Sequence, residues 1–212
     1  KIPRKNLVLG PKLNIEQMKA VAYACLRQIT LIQGPPGTGK TYTLMCILRC
    51  FVTMRDEYNK GRFHEDVESI MKDLQKDYTK VDGPEDGDLW EGEYFRKEIS
   101  KKDKILVVAT ANVSVEVIIV CVIQHWPGAQ VLKIGGASRD PKLPEYCLET
   151  KCHKISNWFE LEDKTQKKHI DIFIKNADII FATCASCQKV DIKAYTFPQV
   201  IVDEAALATE EE

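Results

Sequence analysis

Two groups of residues in this chain have the types and spacing to act on a chain of phosphates. The first is Gly34-Pro35-Pro36-Gly37-Thr38-Gly39-Lys40-Thr41. Glycines at such positions let backbone N–H groups turn inward around phosphate oxygens, and the helix that follows aims its N-terminus at the same charge. Lys40 would then reach the outermost phosphates, and the Thr41 hydroxyl would ligate a divalent cation. The second group closes an apolar run, Val200-Ile201-Val202-Asp203-Glu204. Strand C-termini meet the ligand crevice in open α/β sheets, so Asp203 would hold the metal shell there and Glu204 would polarise an attacking water. An Asp-Glu pair after a strand is by itself only a solvated loop start. With a phosphate loop upstream it becomes a motor-type site.

Several elements must position these groups. Asn14 to Leu26 reads as a helix, with Asn14 as N-cap, Gln17 at the third helical position and an apolar stripe of Val21, Ala24 and Cys25. Ile29 to Gln33 is short and β-branched, which predicts a buried strand entering the glycine loop. Thr41 to Met54 is apolar and long enough for a core helix. Ile105–Ala109, Gln130–Ile134, Asp178–Thr183 and Val200–Glu204 are further strand candidates, with an apolar helix from about Ser114 to Gln124. Strands alternating with helices imply a parallel sheet, and continuous apolar strands imply that both faces are covered. The expected fold is α/β, doubly wound, in one domain over residues 1–212.

Two polar stretches interrupt this pattern and read as insertions. About half the residues from Arg55 to Lys104 are charged; Val67, Ile70, Met71 and Leu74 keep helical spacing within it, and Val81 to Asp88 reads as a loop. The second runs from about Gly135 to Asn176 and closes with a helix whose Ile170, Phe173 and Ile174 face inward.

Composition bounds the remaining possibilities. The 212 residues are 44% hydrophobic and 29% charged, ordinary values for a globular domain with a buried core. A formal net charge of −1 gives no global basic field that would advertise nucleic acid. Apolar stretches stop well short of a bilayer span and no signal-peptide pattern opens the chain, so no membrane partner is expected. Eight cysteines beside a phosphate loop suggest a reducing, intracellular setting, cytoplasmic or nuclear. Cys184-x-x-Cys187 has metal-like spacing, and Cys147, Cys152 and His153 could complete a zinc site; one tight pair without a second also fits an incidental pair after a buried strand.

Taken together, these motifs resemble the first RecA-like domain of the superfamily 1 helicases, in the branch containing the nonsense-mediated-decay helicase and senataxin. Leu13-Asn14-x-x-Gln17 resembles the branch's Q motif, Ile32 to Thr41 its motif I, and Asp203-Glu204-Ala205-Ala206 with Ala208-Thr209-Glu210 its motif II and the sequence after it. The resemblance implies ATP and Mg²⁺ as ligands, Gln17 on the adenine edge, and movement along single-stranded RNA or DNA with 5′-to-3′ polarity. A recombinase or transporter ATPase would leave Gln17 and the Ala-Thr-Glu sequence unexplained.

Ala109-Thr110-Ala111-Asn112-Val113-Ser114-Val115-Glu116 is similar to motif Ia, although the family has Pro-Ser before the Asn and Asp at the end. Lys133 to Arg139 and Ala177 to Cys184 resemble the following strand-loop and motif Ic. The resemblance makes Thr110, Asn112, Arg139 and Thr183 candidate nucleic-acid contacts. It also sets Gly135 to Asn176 where the branch carries a subdomain, and leaves Trp90, Tyr94 and Phe95 in the first insertion to stack on bases or pack on the domain. Motif III, the second RecA-like domain and its arginines would follow Glu212, so these 212 residues alone are expected to bind ATP weakly and hydrolyse it poorly. The rival reading is a nucleotide-binding scaffold that meets protein partners through its insertions.

Overall fold

A computed structural model of the protein describes residues 13–59, 103–136, 138, 140–188 and 192–208. It divides into two units, Lys1–Lys101 and Lys102–Glu212.

In the first unit, helix α1 (Ile15–Leu26) begins at an Asn14 cap and packs on the long helix α2 (Lys40–Asn59). The expected start signal of α1 is present in full. Asn14 Oδ1 accepts from the backbone N–H of Gln17 at 2.9 Å, and Gln17 Oε1 accepts from that of Asn14 at 3.0 Å. Val21 of α1 and Leu44, Met45, Ile47, Leu48 and Val52 of α2 are buried. Helix α2 runs past Met54, and Arg55, placed at the head of the charged insertion, is buried on it with its guanidinium on Asp56. The candidate helix around Val67–Leu74, the Val81–Asp88 loop and Trp90, Tyr94 and Phe95 lie outside the described residues.

The expected buried strand Ile29–Gln33 is absent. The segment joins no ladder, and Ile29 and Leu31 are 81% and 91% exposed. β-Branched residues favour a strand because neighbours pack against them on a sheet, and among the described residues of the first unit there is no strand to pair with this one. Thr30 Oγ1 donates to the Tyr23 carbonyl at 3.1 Å.

The second unit is a parallel sheet of β1 (Ile105–Ala109), β2 (Val131–Ile134), β3 (Ile179–Thr183) and β4 (Gln199–Asp203) in the order β2-β3-β1-β4. Ile105 pairs with Ile179 and Gln199, and Val131 with Ile179. Alternate residues therefore align across the strands on common faces. Helix α3 (Asn112–His125) follows β1 and packs on β1 and β3 through the buried Val115, Ile118, Ile119 and Val122. The other face carries Leu106, Val108, Ile180, Ala182, Leu132 and Ile134. They pack with Leu148 and Cys152 of α4 (Leu148–His153) and Ile174 of α5 (Asp163–Asn176). Helices cover both faces, as the α/β reading requires.

Within residues 135–176, the second polar insertion, Leu143, Cys147, Leu148, Cys152 and Ile174 are buried, and Ile170 and Phe173 of its closing helix face the core as expected. One expectation changes here. β4 is not covered on both faces, since Val200 and Val202 are 54% and 45% exposed. It ends the strand order with β1 as its neighbour, and within this unit the main helix packing falls on β1, β2 and β3.

Candidate functional site

The phosphate loop is built from hydrogen bonds within the first unit. Gly37 and Gly39 hold φ of +78° and +80°, left-handed conformations that side chains resist. At Gly39 there is a second constraint, because a Cβ would stand 2.6 Å from Gln17 Nε2. That amide nitrogen donates to the Thr38 carbonyl at 3.0 Å, so α1 fastens the loop at its tip. Thr38 Oγ1 donates to the Pro35 carbonyl at 2.8 Å and closes the turn. Pro36, Gly37 and Thr38 are exposed, and Thr41 is half-buried in the first turn of α2. Thr43 Oγ1 donates to the Gly39 carbonyl at 3.0 Å, anchoring the loop's exit on the helix.

Lys40 Nζ donates to the carbonyls of Gly34 and Pro35 at 2.7 and 2.9 Å. An ammonium has three protons and no acceptor, and charged phosphate oxygens accept more strongly than neutral carbonyls. The lysine thus lies on its own loop, ready to exchange one set of oxygens for another. Gln17 gives Oε1 to the cap and Nε2 to Thr38, which leaves one N–H and one lone pair for a further partner.

In the second unit, register gathers the other candidates. Ala109 aligns with Thr183 on one side and Asp203 on the other, so the residues after β1, β3 and β4 emerge along one edge of the sheet, at the C-terminal ends of its strands. This is where parallel sheets bind ligands. Asn112 is exposed there, with Thr110 half-buried beside it and Val113 exposed on the first turn of α3. Glu204, the residue after β4, has φ 53° and ψ 38°, and its Oε2 accepts from Ser114 Oγ of α3 at 2.7 Å.

Thr183 is different in kind. It is 5% exposed and its hydroxyl donates to Ser186 Oγ at 2.8 Å, so it faces inward; Ser186 in turn would sit 2.5 Å from a Cβ at Gly135, whose φ is +117°. Its hydroxyl thus ties the end of β3 to the turn that follows it. Arg139 lies outside the described residues.

Sequence reasoning missed Lys133. It sits in mid-strand on β2, 1% exposed, with Nζ 3.4 Å from Glu116 Oε1 and donating to the Gly136 carbonyl at 2.6 Å. A lysine within Val131-Leu132-Lys133-Ile134 was the available signal, since a buried charge requires a partner. Glu116, an altered motif position, is that partner.

All eight cysteines are free thiols. Cys25 donates its S–H to Cys50, which pushes the Cys25 thiol well up and, with the charge of Arg49, brings Cys50 down despite its burial. Burial raises Cys121, Cys147, Cys152 and Cys187. Among the described residues no three His, Cys, Asp or Glu side chains are grouped to hold a metal, so the zinc constellation does not assemble. No described helix is long and apolar enough to cross a membrane.

The model of the AAA domain family matches residues 12–168 and 149–212. The chain belongs to that family. Among its relatives is a protein named ATP-dependent helicase upf1 from Schizosaccharomyces pombe. It is 22% identical over 225 residues, covering 95% of this chain and 20% of that protein. The Regulator of nonsense transcripts 1 of Dictyostelium discoideum is 23% identical over 233 residues, 98% of this chain and 14% of its own length. The protein of the same name from Caenorhabditis elegans is 56% identical over a segment of 41 residues, 19% of this chain and 4% of its own. The AAA domain chain is thus similar along nearly its whole length to part of the first two proteins, in line with the first-domain resemblance, and the matches span a fifth or less of each relative.

Proposed function

We propose that this AAA domain is the ATP-binding half of a helicase motor that hydrolyses ATP and moves along single-stranded nucleic acid. RNA is favoured over DNA, and 5′-to-3′ polarity is adopted, because the motif wording is nearest the decay helicase. The reading rests chiefly on one observation: Gln17, through its capping box and its bond to Thr38, ties the start of α1 to a loop with left-handed glycines and a folded-back Lys40.

In this reading Gly34 to Thr41 cradle the phosphates, Lys40 neutralises the outermost ones, and Gln17 offers its remaining N–H and lone pair to the adenine edge. Thr41 and Asp203 carry the oxygens suited to Mg²⁺, a hard cation that takes carboxylate, hydroxyl and phosphate oxygens and offsets phosphate charge when bound. Glu204 takes a proton from water as the water oxygen bonds the γ-phosphorus; the bond to the β,γ-bridging oxygen breaks and ADP leaves with its electron pair. Thr110 and Asn112 contact the strand's backbone, with Arg139 as a further contact, and Thr183 orders the neighbouring loop. The second RecA-like domain, intracellular location and protein partners of the insertions belong to the same proposal.

The test is the ATPase rate of the full-length protein with and without single-stranded polyuridylate. Strand-dependent turnover that Lys40→Ala abolishes is expected. Wild-type turnover in Lys40→Ala would overturn the site assignment. ATP binding without turnover in the wild type would favour the scaffold reading.

A further inference from the structure

Cys25 and Cys50 lie on the two helices that flank the phosphate loop, and the packing of those helices brings them together. Val21, one turn before Cys25 on α1, and Cys46, one turn before Cys50 on α2, are 2% and 1% exposed. Residues four apart share a helix face, so each cysteine continues a buried stripe into the seam between α1 and α2. Both are free and half-buried, and the S–H of Cys25 donates to the Cys50 sulfur. That bond and the Arg49 charge favour the thiolate of Cys50, the form that attacks electrophiles, whereas Cys25 holds its proton.

We propose that this pair is an oxidation site for hydroperoxides, with Cys50 as the attacking sulfur and Cys25 as the thiol that resolves it into a disulfide between the helices. The Cys50 sulfur bonds one oxygen of hydrogen peroxide and the O–O bond breaks. The other oxygen leaves as hydroxide and takes up the proton that Cys50 gave to solvent. The Cys25 sulfur then bonds that of Cys50, the S–O bond breaks, and the departing hydroxide takes the Cys25 proton as water. Two thiols lose two electrons in all, and the peroxide is reduced to two waters. Neither step uses ATP. The disulfide joins the helix that follows Gln17 to the helix that begins at Lys40, and the covalent ring from Cys25 to Cys50 contains the whole of Gly34–Thr41. Cys25 also intercepts Cys50 before the sulfinic acid, the stage from which ordinary thiols do not restore a cysteine.

The experiment treats the full-length protein with hydrogen peroxide at pH 7 and maps its cysteines by peptide mass spectrometry, for wild type, Cys25→Ser and Cys50→Ser. In wild type a Cys25–Cys50 cross-linked peptide forms at least about tenfold faster than Cys121, Cys147, Cys152 or Cys187 is oxidised, since burial holds those four as thiols. Dithiothreitol reverses the cross-link. Cys25→Ser leaves Cys50 as a sulfenic acid that dimedone traps and that further peroxide carries to the sulfinic acid. Cys50→Ser leaves Cys25 unoxidised over the same time. The wild-type cross-link is read without either variant, so a folding defect in one of them does not decide the outcome. The inference is overturned if wild type forms no Cys25–Cys50 peptide, or if its Cys50 reaches the sulfinic acid as fast as in Cys25→Ser. A sulfenic acid at Cys25 in Cys50→Ser, formed as fast as the wild-type cross-link, also overturns it.

Discussion

Gln17 Nε2 and the carbonyl of Thr38 are 3.0 Å apart, and this single bond joins a helix cap to the tip of the phosphate loop. The same side chain closes the capping box with Asn14, so its two functions share one rotamer. A residue read first for the adenine edge is also a brace for the loop that receives the phosphates.

Gln17→Ala removes both bonds at once. At about 1 kcal/mol for each net hydrogen bond, nucleotide affinity should fall about tenfold or more, and helix α1 should lose part of its cap. Titration with a fluorescent ATP analogue measures this. Unchanged affinity would show that the brace is idle.

Gly39→Ala should be more severe than Gly37→Ala, although both glycines hold left-handed φ. A methyl at Gly39 meets Gln17 Nε2 at 2.6 Å, whereas nothing lies within 4 Å of one at Gly37. Backbone strain of about 1–3 kcal/mol is common to both, so the difference in nucleotide affinity isolates the contact with Gln17. Equal losses would contradict the geometry.

The Lys133–Glu116 pair predicts a folding defect rather than a catalytic one. Glu116→Ala leaves a buried ammonium with the Gly136 carbonyl as its remaining described acceptor, which should cost about 3–5 kcal/mol in urea unfolding. Lys133→Met combined with Glu116→Leu should recover most of that loss, since apolar residues of similar volume replace the pair. A single variant as stable as wild type would remove the pair from the account.

Thiol labelling should separate the cysteines. Cys50 is lowered by the S–H of Cys25 and by Arg49, so it keeps more thiolate as pH falls from about 9 toward 7. Cys25, Cys121, Cys147, Cys152 and Cys187 are raised and lose theirs. Iodoacetamide followed by peptide mapping should find Cys50 modified at pH 7 ahead of those five. Cys25 reacting first would reverse the assigned donor.

Local chemistry was what the sequence displayed best. Asn14 and Gln17 stand three residues apart, and the glycine loop is defined by its own spacing, so both could be read without knowing the fold. Strands β1 and β3 were equally plain, being short apolar runs. Ile29–Gln33 had the same composition and is no strand, because a ladder partner is a property of the sheet and not of the segment. The burial of Leu143, Cys147, Leu148 and Cys152 was hidden in a polar stretch, where single apolar residues carry no visible period. Ser114 and Glu204 meet because β1 pairs with β4 at Ala109 and Asp203, a register no local pattern encodes.

The most direct test of the central claim pairs two measurements on Glu204→Gln in the full-length protein: ATP affinity and strand-stimulated turnover. Affinity within about threefold of wild type, with turnover reduced at least about a hundredfold, is the predicted result for a carboxylate that acts on water and not on binding. Turnover at the wild-type rate, or loss of ATP binding, would contradict it.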